Sequence, residues 1–125
     1  MYTTSKEMIK KARAGGYAVP AFNAENLEMV QAIVAAASEL RSPVMIQTTP
    51  TSVKYLTLRQ AVAMVRAEGE AADVPVALHL DHCESYDGVH DAVQAGYTSV
   101  MIDGSKLPYE ENIEVTRKVV EMAAA

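Results

Sequence analysis

The sequence predicts an α/β fold in which helices cover a parallel sheet. Short apolar stretches of strand length alternate four times with segments that carry apolar residues at helical spacing. Parallel strands need a crossover connection of about a dozen residues, usually a helix, so the alternation favours four βα units behind one extra N-terminal helix. Half of the 125 residues are apolar, which is enough for the core of a single domain spanning residues 1–125.

The first elements are marked by capping signals. Thr4, followed three residues later by Glu7, has the spacing of a capping box and predicts the start of a helix that Gly15–Gly16 ends. The apolar run 17–23 predicts the first strand, and a helix from about 25 to 40 follows it. The residues that share one face of this second helix are Leu27, Val30, Val34 and Ala37.

Three further strand-helix pairs follow in the same pattern. The strands are predicted at 43–46, 75–80 and 99–102. Thr57 is the predicted N-cap of the next helix, Gly96 ends a shorter one, and the final helix opens near Pro108. The apolar stripes of these helices are Leu58, Ala61, Val62 and Val65, then Val89, Ala92 and Val93, then Ile113, Val120 and Ala123.

Polar residues follow every predicted strand at its carboxyl end. They are Asn23, then Gln47, Thr48 and Thr49, then Asp81 and His82, then Asp103 and Ser105. Barrel enzymes place their chemistry at the carboxyl ends of many different strands, whereas an open α/β sheet usually binds a ligand in one crevice. The pattern therefore favours a (βα)4 half of an eight-stranded (βα)8 barrel, although the length alone fits a small open sheet.

Composition excludes several classes of protein. The chain has 11 Lys and Arg against 16 Asp and Glu, a balance that argues against a nucleic-acid surface. No apolar run approaches the roughly 20 residues of a membrane span, and the polar, lysine-rich start is unlike a secretory signal. The single cysteine, Cys83, has no partner for an internal disulfide. We expect a cytoplasmic protein whose partners are small molecules or proteins.

The stretch from His79 to Cys83 is the strongest candidate for chemistry. An Asp and a His at the exit of a parallel strand suit a general acid or base beside a metal ligand, and a helix-capping Asp with a surface His is the alternative. Strand alternation places His79 and Asp81 on one side and His82 on the other. Asp81 and His82 therefore reach one site only if the chain turns after Asp81.

The remaining candidates have structural alternatives. A mid-strand histidine such as His79 is more often hydrogen-bonded in the interior than a ligand, and His90, beside an Asp in a helix, is expected to be solvated. Cys83 is more often inert than reactive, although its place beside His82 leaves thiol chemistry as a hypothesis. Asp103 fits a site carboxylate and a turn residue equally well. The sequence contains no glycine-rich nucleotide fingerprint.

Four motifs, spread in order over essentially the whole chain, resemble the class II, metal-dependent ketose-bisphosphate aldolases. The motifs are Tyr-Ala-Val-Pro-Ala-Phe-Asn at 17–23 with Asn-Leu-Glu at 26–28, His-Leu-Asp-His at 79–82, Ser-Val-Met-Ile-Asp-Gly-Ser at 99–105, and Glu-Asn-Ile at 111–113. The fructose- and tagatose-bisphosphate enzymes are the nearest relatives within that family. The resemblance implies reversible cleavage of either sugar bisphosphate to dihydroxyacetone phosphate and glyceraldehyde 3-phosphate.

The resemblance also implies roles for five residues. Asp81 takes the place of the catalytic acid and base at the substrate's C4 hydroxyl, and His82 that of a ligand to the catalytic zinc. Asp103 matches an acidic residue of a second or alternative metal position. Asn23 and Thr49 match substrate-binding positions, with Thr49 standing where the family usually has a serine. Zinc, acting as a Lewis acid, is the implied cofactor and stabilises the enediolate.

The family's barrels are about twice as long as this chain, so the resemblance implies their N-terminal half. Catalytic zinc usually has three protein ligands, of which the matched positions supply one histidine and at most Asp103. We expect weak zinc binding and no useful cleavage by the isolated chain. An open sheet exposes two edges, which predicts a homodimer or a higher oligomer. A non-catalytic assembly module that closes its sheet by association is the alternative function.

Overall fold

The structure, a computed structural model, describes residues 1–124 and contains six helices and a four-stranded sheet in that range. The helices are α1 (Ser5–Gly15), α2 (Leu27–Glu39), α3 (Pro50–Leu56), α4 (Leu58–Ala71), α5 (Tyr86–Ala95) and α6 (Tyr109–Ala124). The strands are β1 (Ala21–Asn23), β2 (Val44–Thr48), β3 (Val76–Cys83) and β4 (Ser99–Ile102).

The four strands are parallel and lie in the order β1-β2-β3-β4, which confirms the predicted parallel α/β architecture. Their register aligns one row of polar residues across the sheet. Asn23 lies opposite Gln47, Gln47 opposite His79, and His79 opposite Ser99. Because residues that pair across neighbouring strands point to the same side, this row lies on one face of the sheet.

The core lies between the other face of the sheet and the helices. On β2 the buried residues are Val44, Ile46 and Thr48, which alternate with half-buried Met45 and Gln47. Val44 and Ile46 pack with residues of α2, α4 and α5 in one cluster. The largest fully buried side chains of that cluster are Val30, Val44, Ile46, Val65, Val76, Leu78 and Val89.

Side-chain caps begin four of the helices. In each, a side-chain oxygen accepts the backbone N–H three residues later; the capping residues are Asn26 for α2, Thr49 for α3, Thr57 for α4 and Ser85 for α5. The prediction for Thr57 is therefore confirmed. Gly16 and Gly96 follow α1 and α5 with φ of 68° and 110°, a region where a side chain is strained, as their predicted stop positions require.

Several sequence-based boundaries were wrong. Thr4 precedes α1 but makes no side-chain cap hydrogen bond, and Glu7 pairs with Lys10 at 3.0 Å, so the predicted capping box does not form. The first strand begins at Ala21 rather than 17, since Pro20 offers β2 a carbonyl but no N–H. β2 and β3 run two and three residues beyond their predicted ends at 46 and 80. Helix α3 was not predicted.

The apolar stripe predicted for the last helix is not the face that packs. Val119 is buried, whereas Val120 is 61% exposed and Ile113 only half-buried. Leu27, predicted on the packed face of α2, is also exposed. A face of α6 thus stays uncovered within residues 1–124. No helix in that range is long and apolar enough to cross a membrane.

Candidate functional site

The candidate site lies at the carboxyl ends of the strands, where polar side chains from β1, β2 and β3 meet. Gln47 Nε2 donates hydrogen bonds to Asn23 Oδ1 at 2.9 Å and to Asp81 Oδ2 at 3.0 Å. His82 Nδ1 lies 2.8 Å from Asp103 Oδ2. The structure thus brings four of the five predicted site residues into two adjoining hydrogen-bonded groups.

A turn at His82 brings these two groups together. His82 has φ of 52°, and the register between β3 and β4 shifts between Leu80 and Cys83. Regular alternation would send the His82 side chain to the opposite side of the strand from Asp81. The left-handed backbone at His82 instead leaves its Nε2 3.9 Å from Asp81 Oδ1. The chain thus turns after Asp81, as a shared site for the two residues requires. A left-handed non-glycine residue costs of order 1–3 kcal/mol, and such strain is concentrated at functional sites.

The Asp103 carboxylate orients the imidazole of His82. Hydrogen bonds from Ser105 and from His82 hold the pKa of Asp103 well below its usual range, so that it is ionised at neutral pH. The hydrogen bond to Asp103, reinforced by the charge of Asp81, raises the pKa of His82 above its ordinary value. Because a carboxylate only accepts, Nδ1 of His82 carries the shared proton. Nε2 is the ring nitrogen left available, on a side chain that is 61% exposed.

This arrangement suits one metal ligand but does not complete a zinc site. A carboxylate on one nitrogen of a histidine is the usual support for metal binding through the other. Catalytic zinc takes three protein ligands. Among residues 1–124, no group of three or more His, Cys, Asp and Glu side chains is placed to hold a metal ion. The described residues therefore do not fit a complete catalytic zinc centre.

Asp81 is held by neighbours on both sides. Gln47 donates to Oδ2, and His79 Nε2 lies 3.7 Å from Oδ1. Gln47 was not singled out from the sequence, although it belongs to the polar cluster that ends β2. Its signal is the register, since it pairs with Asn23 on one side and His79 on the other. Only the strand alignment shows that one amide bridges two candidate site residues.

His79 is a hydrogen-bonded interior histidine, as predicted. Its Nδ1 lies 2.7 Å from Ser99 Oγ, and Ser5 Oγ of α1 lies 3.2 Å from the same oxygen. Burial lowers the pKa of His79, although the charge of Asp81 opposes this change. The ring is therefore uncharged at neutral pH. Through Ser99 it connects α1 to the row of polar residues on the sheet.

The remaining candidates lie apart from these groups. Thr49 caps α3, with its hydroxyl accepting the N–H of Ser52 at 3.3 Å. Cys83 is buried, and its Sγ points to the carbonyl of Ser85, a position that favours an inert thiol. His90 lies on α5 beside Asp91, 3.4 Å away.

Comparison with known proteins gives a consistent result. A family model described as fructose-bisphosphate aldolase class-II matches residues 3–125. The YdjI aldolase of Escherichia coli K12 is 32% identical, with a TM-score of 0.91 over 97% of this chain. A protein of Coccidioides immitis assigned as a fructose-1,6-bisphosphate aldolase is 33% identical, with a TM-score of 0.85 over 94%. The fructose-bisphosphate aldolase of Campylobacter jejuni is 26% identical, with a TM-score of 0.84 over 97%.

The chain spans about half the length of these solved proteins. It covers 47% of the Escherichia coli chain, 46% of the Coccidioides chain and 44% of the Campylobacter chain. Its helices and parallel sheet superpose on that half nearly throughout. The predicted half-barrel fold is thereby confirmed.

Proposed function

Because this chain belongs to the class II fructose-bisphosphate aldolase family, we propose that it forms the N-terminal half of an aldolase active site. The reaction is reversible cleavage of a ketose bisphosphate, fructose or tagatose 1,6-bisphosphate, to dihydroxyacetone phosphate and glyceraldehyde 3-phosphate. The observation that carries the proposal is the turn at His82, which sets an acid and an imidazole at one strand end. We further propose that residues 1–125 form a single domain and that the protein is located in the cytoplasm.

Asp81 is the proposed catalytic acid and base. In the cleavage direction its carboxylate takes the proton of the C4 hydroxyl, the C3–C4 bond breaks, and an aldehyde forms at C4. The electron pair of the broken bond passes into the enediolate of dihydroxyacetone phosphate. Gln47 supports this role because its hydrogen bond to Oδ2 holds one carboxylate oxygen, leaving Oδ1 to meet the substrate.

His82 and Asp103 are the chain's proposed contribution to a zinc site. Class II aldolases are metal-dependent, and bound zinc supplies the positive charge that stabilises an enediolate. In this chain the role of Asp103 is supported by its hydrogen bond to His82 Nδ1, which leaves Nε2 available as the ligand atom. One imidazole does not make a catalytic zinc centre, so the isolated chain is expected to have no useful activity.

Asn23 and Thr49 are proposed to contact the sugar phosphate. Asn23 reaches the site through Gln47, 2.9 Å away. Thr49 directly follows β2, which is the neighbour of the strand that carries Asp81, and it is half-buried at the start of α3. This assignment follows the family's pattern, with a threonine hydroxyl in place of a serine hydroxyl.

A second candidate function is a non-catalytic assembly module that forms a homodimer or a higher oligomer. The observation in its favour is that, in residues 1–124, β1 and β4 each pair with one neighbour only. Unpaired parallel edges promote association with other strands. This function requires no chemistry at Asp81 or His82.

A chimera separates the two functions. The matching half of the Escherichia coli YdjI aldolase is replaced by this chain, and cleavage of each sugar bisphosphate is followed by a coupled triose-phosphate assay with zinc. We expect zinc-dependent cleavage that falls roughly 100-fold or more in the Asp81→Asn variant, the usual contribution of a general acid or base. Asp91→Asn, on the exposed face of α5, is the matched control.

The same assay on the chain alone completes the test. Cleavage no faster than that of the His82→Ala variant is expected. A folded, zinc-loaded chimera in which Asp81→Asn cleaves as fast as the parent would contradict the proposed role of Asp81. A chimera that folds and is inactive on both sugar bisphosphates would leave the assembly function as the better account.

A further inference from the structure

Thr49, one of the proposed substrate contacts, belongs to a hydroxyl relay made of Thr49, Ser52 and Glu25. Ser52 Oγ donates a hydrogen bond to Glu25 Oε1 at 2.7 Å, and Thr49 Oγ1 lies 3.2 Å from Ser52 Oγ. Glu25 lies between β1 and α2, whereas Ser52 lies on α3, which follows β2. The relay therefore joins the segments that follow two neighbouring strands, and neither Glu25 nor Ser52 has a role in the site described so far.

The middle member of the relay fixes the direction of its hydrogen bonds. Ser52 is only 3% exposed, so its hydroxyl depends on partners within the protein. A serine hydroxyl has one proton, and a carboxylate only accepts hydrogen bonds. The contact with Glu25 therefore takes the one proton of Ser52. In the contact between the two hydroxyls, Ser52 is left as the acceptor and Thr49 as the donor.

This direction decides what the Thr49 hydroxyl offers to a ligand. Its one proton points to Ser52, and one of its two lone pairs accepts the backbone N–H of Ser52 at 3.3 Å. The second lone pair remains, on a residue that is only half-buried. Thr49 therefore offers a hydrogen-bond acceptor. Such a group suits a hydroxyl of a sugar, and does not suit a carbonyl oxygen or an ionised phosphate oxygen, since these only accept.

The carboxylate of Glu25 is what makes the direction unique. An amide at position 25 would be able to donate to Ser52 Oγ as well as accept from it, and Ser52 would then be free to donate to Thr49. The proton of Thr49 would be released to point at a ligand. Glu25 thus controls the donor and acceptor sense of a hydroxyl with which it makes no direct hydrogen bond.

We propose that Glu25 is a positioning residue that acts through Ser52 and makes Thr49 the acceptor of a hydrogen bond from a hydroxyl group of the ketose. The inference deepens the proposed aldolase function and rests on it, because it assigns the sense of one substrate contact. In its open-chain form either sugar bisphosphate carries its free hydroxyls on C3, C4 and C5. One of these three groups is therefore the partner of Thr49.

Kinetics of the chimera with the YdjI aldolase test whether Glu25 acts through Thr49. Thr49→Val removes the contact and is expected to lower kcat/KM about tenfold, whereas Glu25→Gln frees the direction only in part and lowers it roughly two- to fivefold. The two changes together should be no worse than Thr49→Val alone. In a Thr49→Ser background, which keeps the hydroxyl, Glu25→Gln should keep its effect. Glu39→Gln, at another exposed carboxylate near the end of α2, is the matched control.

Fluorinated substrate analogues test the sense of the hydrogen bond. Fluorine in place of the hydroxyl at C3, C4 or C5 keeps a polar bond but removes the donor. The inhibition constant of each analogue is measured against cleavage of the unmodified sugar bisphosphate by the chimera. Thr49→Val should raise this constant about tenfold for two of the analogues and by less than about twofold for the third, whose fluorine replaces the partner of Thr49. Glu25→Gln should not weaken binding of that third analogue either.

A second pair of variants checks the same route without Thr49→Val. Ser52→Ala and Glu25→Gln both release the proton of Thr49, so the two together should be no worse for kcat/KM than the more severe of them. Urea denaturation verifies that each variant is folded at the assay temperature.

An active chimera in which the losses from Glu25→Gln and Ser52→Ala, or from Glu25→Gln and Thr49→Val, simply multiply would overturn the inference. Equal effects of Thr49→Val on all three fluorinated analogues would overturn it as well. Either result leaves the proposed aldolase function standing. A folded chimera that cleaves neither sugar bisphosphate would instead refute the proposed function, and this inference with it.

Discussion

A buried pair of hydroxyls, Thr48 and Tyr97, permits a quantitative test of the core. Thr48 Oγ1 and Tyr97 Oη lie 2.7 Å apart, and the two residues are 1% and 6% exposed. Burial raises the pKa of Tyr97, against a smaller opposing effect of the Thr48 hydrogen bond, so its hydroxyl remains protonated in mildly alkaline solution. The pair joins the end of β2 to the segment between α5 and β4.

The perturbations are Thr48→Val and Tyr97→Phe, singly and together. Each single change leaves one buried hydroxyl without its partner, at a cost of about 1–3 kcal/mol. The double change removes both hydroxyls while nearly preserving shape, and such a replacement is close to neutral. The two single costs therefore should not add, and the coupling free energy between them is expected to approach their sum, about 2–6 kcal/mol.

Urea denaturation followed by circular dichroism measures the four free energies of unfolding. For a chain of this size, a loss of 1 kcal/mol lowers the melting temperature by roughly 3–6 °C, so thermal melts give an independent check. Ser42→Ala, at a half-buried hydroxyl that bonds only to a neighbouring carbonyl, is a control with a small expected effect. Additive costs for Thr48→Val and Tyr97→Phe would refute the reasoning, because they would mean that the hydroxyls do not depend on each other.

Further outcomes follow from the site and the core. Asp103→Asn should lower the pKa of His82 towards its ordinary value of 6.5, measured by NMR titration of the imidazole. Since the pKa of His82 is raised on folding, the stabilisation it brings is complete below about pH 6.5 and is lost as the pH rises through the raised value. The lowered pKa of Asp103 gives the opposite dependence at acid pH, so the free energy of unfolding should decline on both sides of this range. A plot of that free energy against pH that Asp103→Asn leaves unchanged would contradict this. Gly104→Ala should destabilise the fold by about 1–3 kcal/mol in urea, because its Cβ would clash with the side chain of Asn112. Gly16→Ala, whose Cβ meets open space but whose φ is strained, tests backbone strain alone. Leu78→Ala, at a fully buried position, should cost about 2–5 kcal/mol, and a smaller loss would mean that the site collapses around the missing atoms.

Much of the fold was predictable from local signals. β4 was predicted at its observed bounds, and α5 ends at the predicted Gly96. The boundary between these two elements has a clear sequence signal, since Gly96 is a left-handed glycine that ends α5 shortly before β4 begins. By contrast, α3 is only seven residues long, and its one signal is a threonine followed by a proline at 49–50, a common N-cap and first-turn pair.

The candidate site was predictable as a set of residue types but not as an arrangement. Asp81 and His82 stand out because an acid and an imidazole at the end of a parallel strand suit acid–base or metal chemistry, although a capping Asp and a surface His fit the same pattern. The turn that brings them together depends on a left-handed backbone at His82, and no local sequence pattern predicts that conformation at a residue other than glycine. The bridging role of Gln47 depends on register between three strands, and register is set by tertiary packing.

Hydrogen bonds within one chain hold the two groups of the candidate site in place. Asp81 is held by Gln47, and His82 by Asp103, entirely within one chain. Asp103 in turn accepts the backbone N–H of Ser105 at 3.0 Å. Groups already fixed in this way lose little further freedom when a ligand binds, so the cost of ordering them is small. The orientation of His82 is therefore fixed before any further metal ligand would be supplied, which is the role that a carboxylate on the other ring nitrogen usually has.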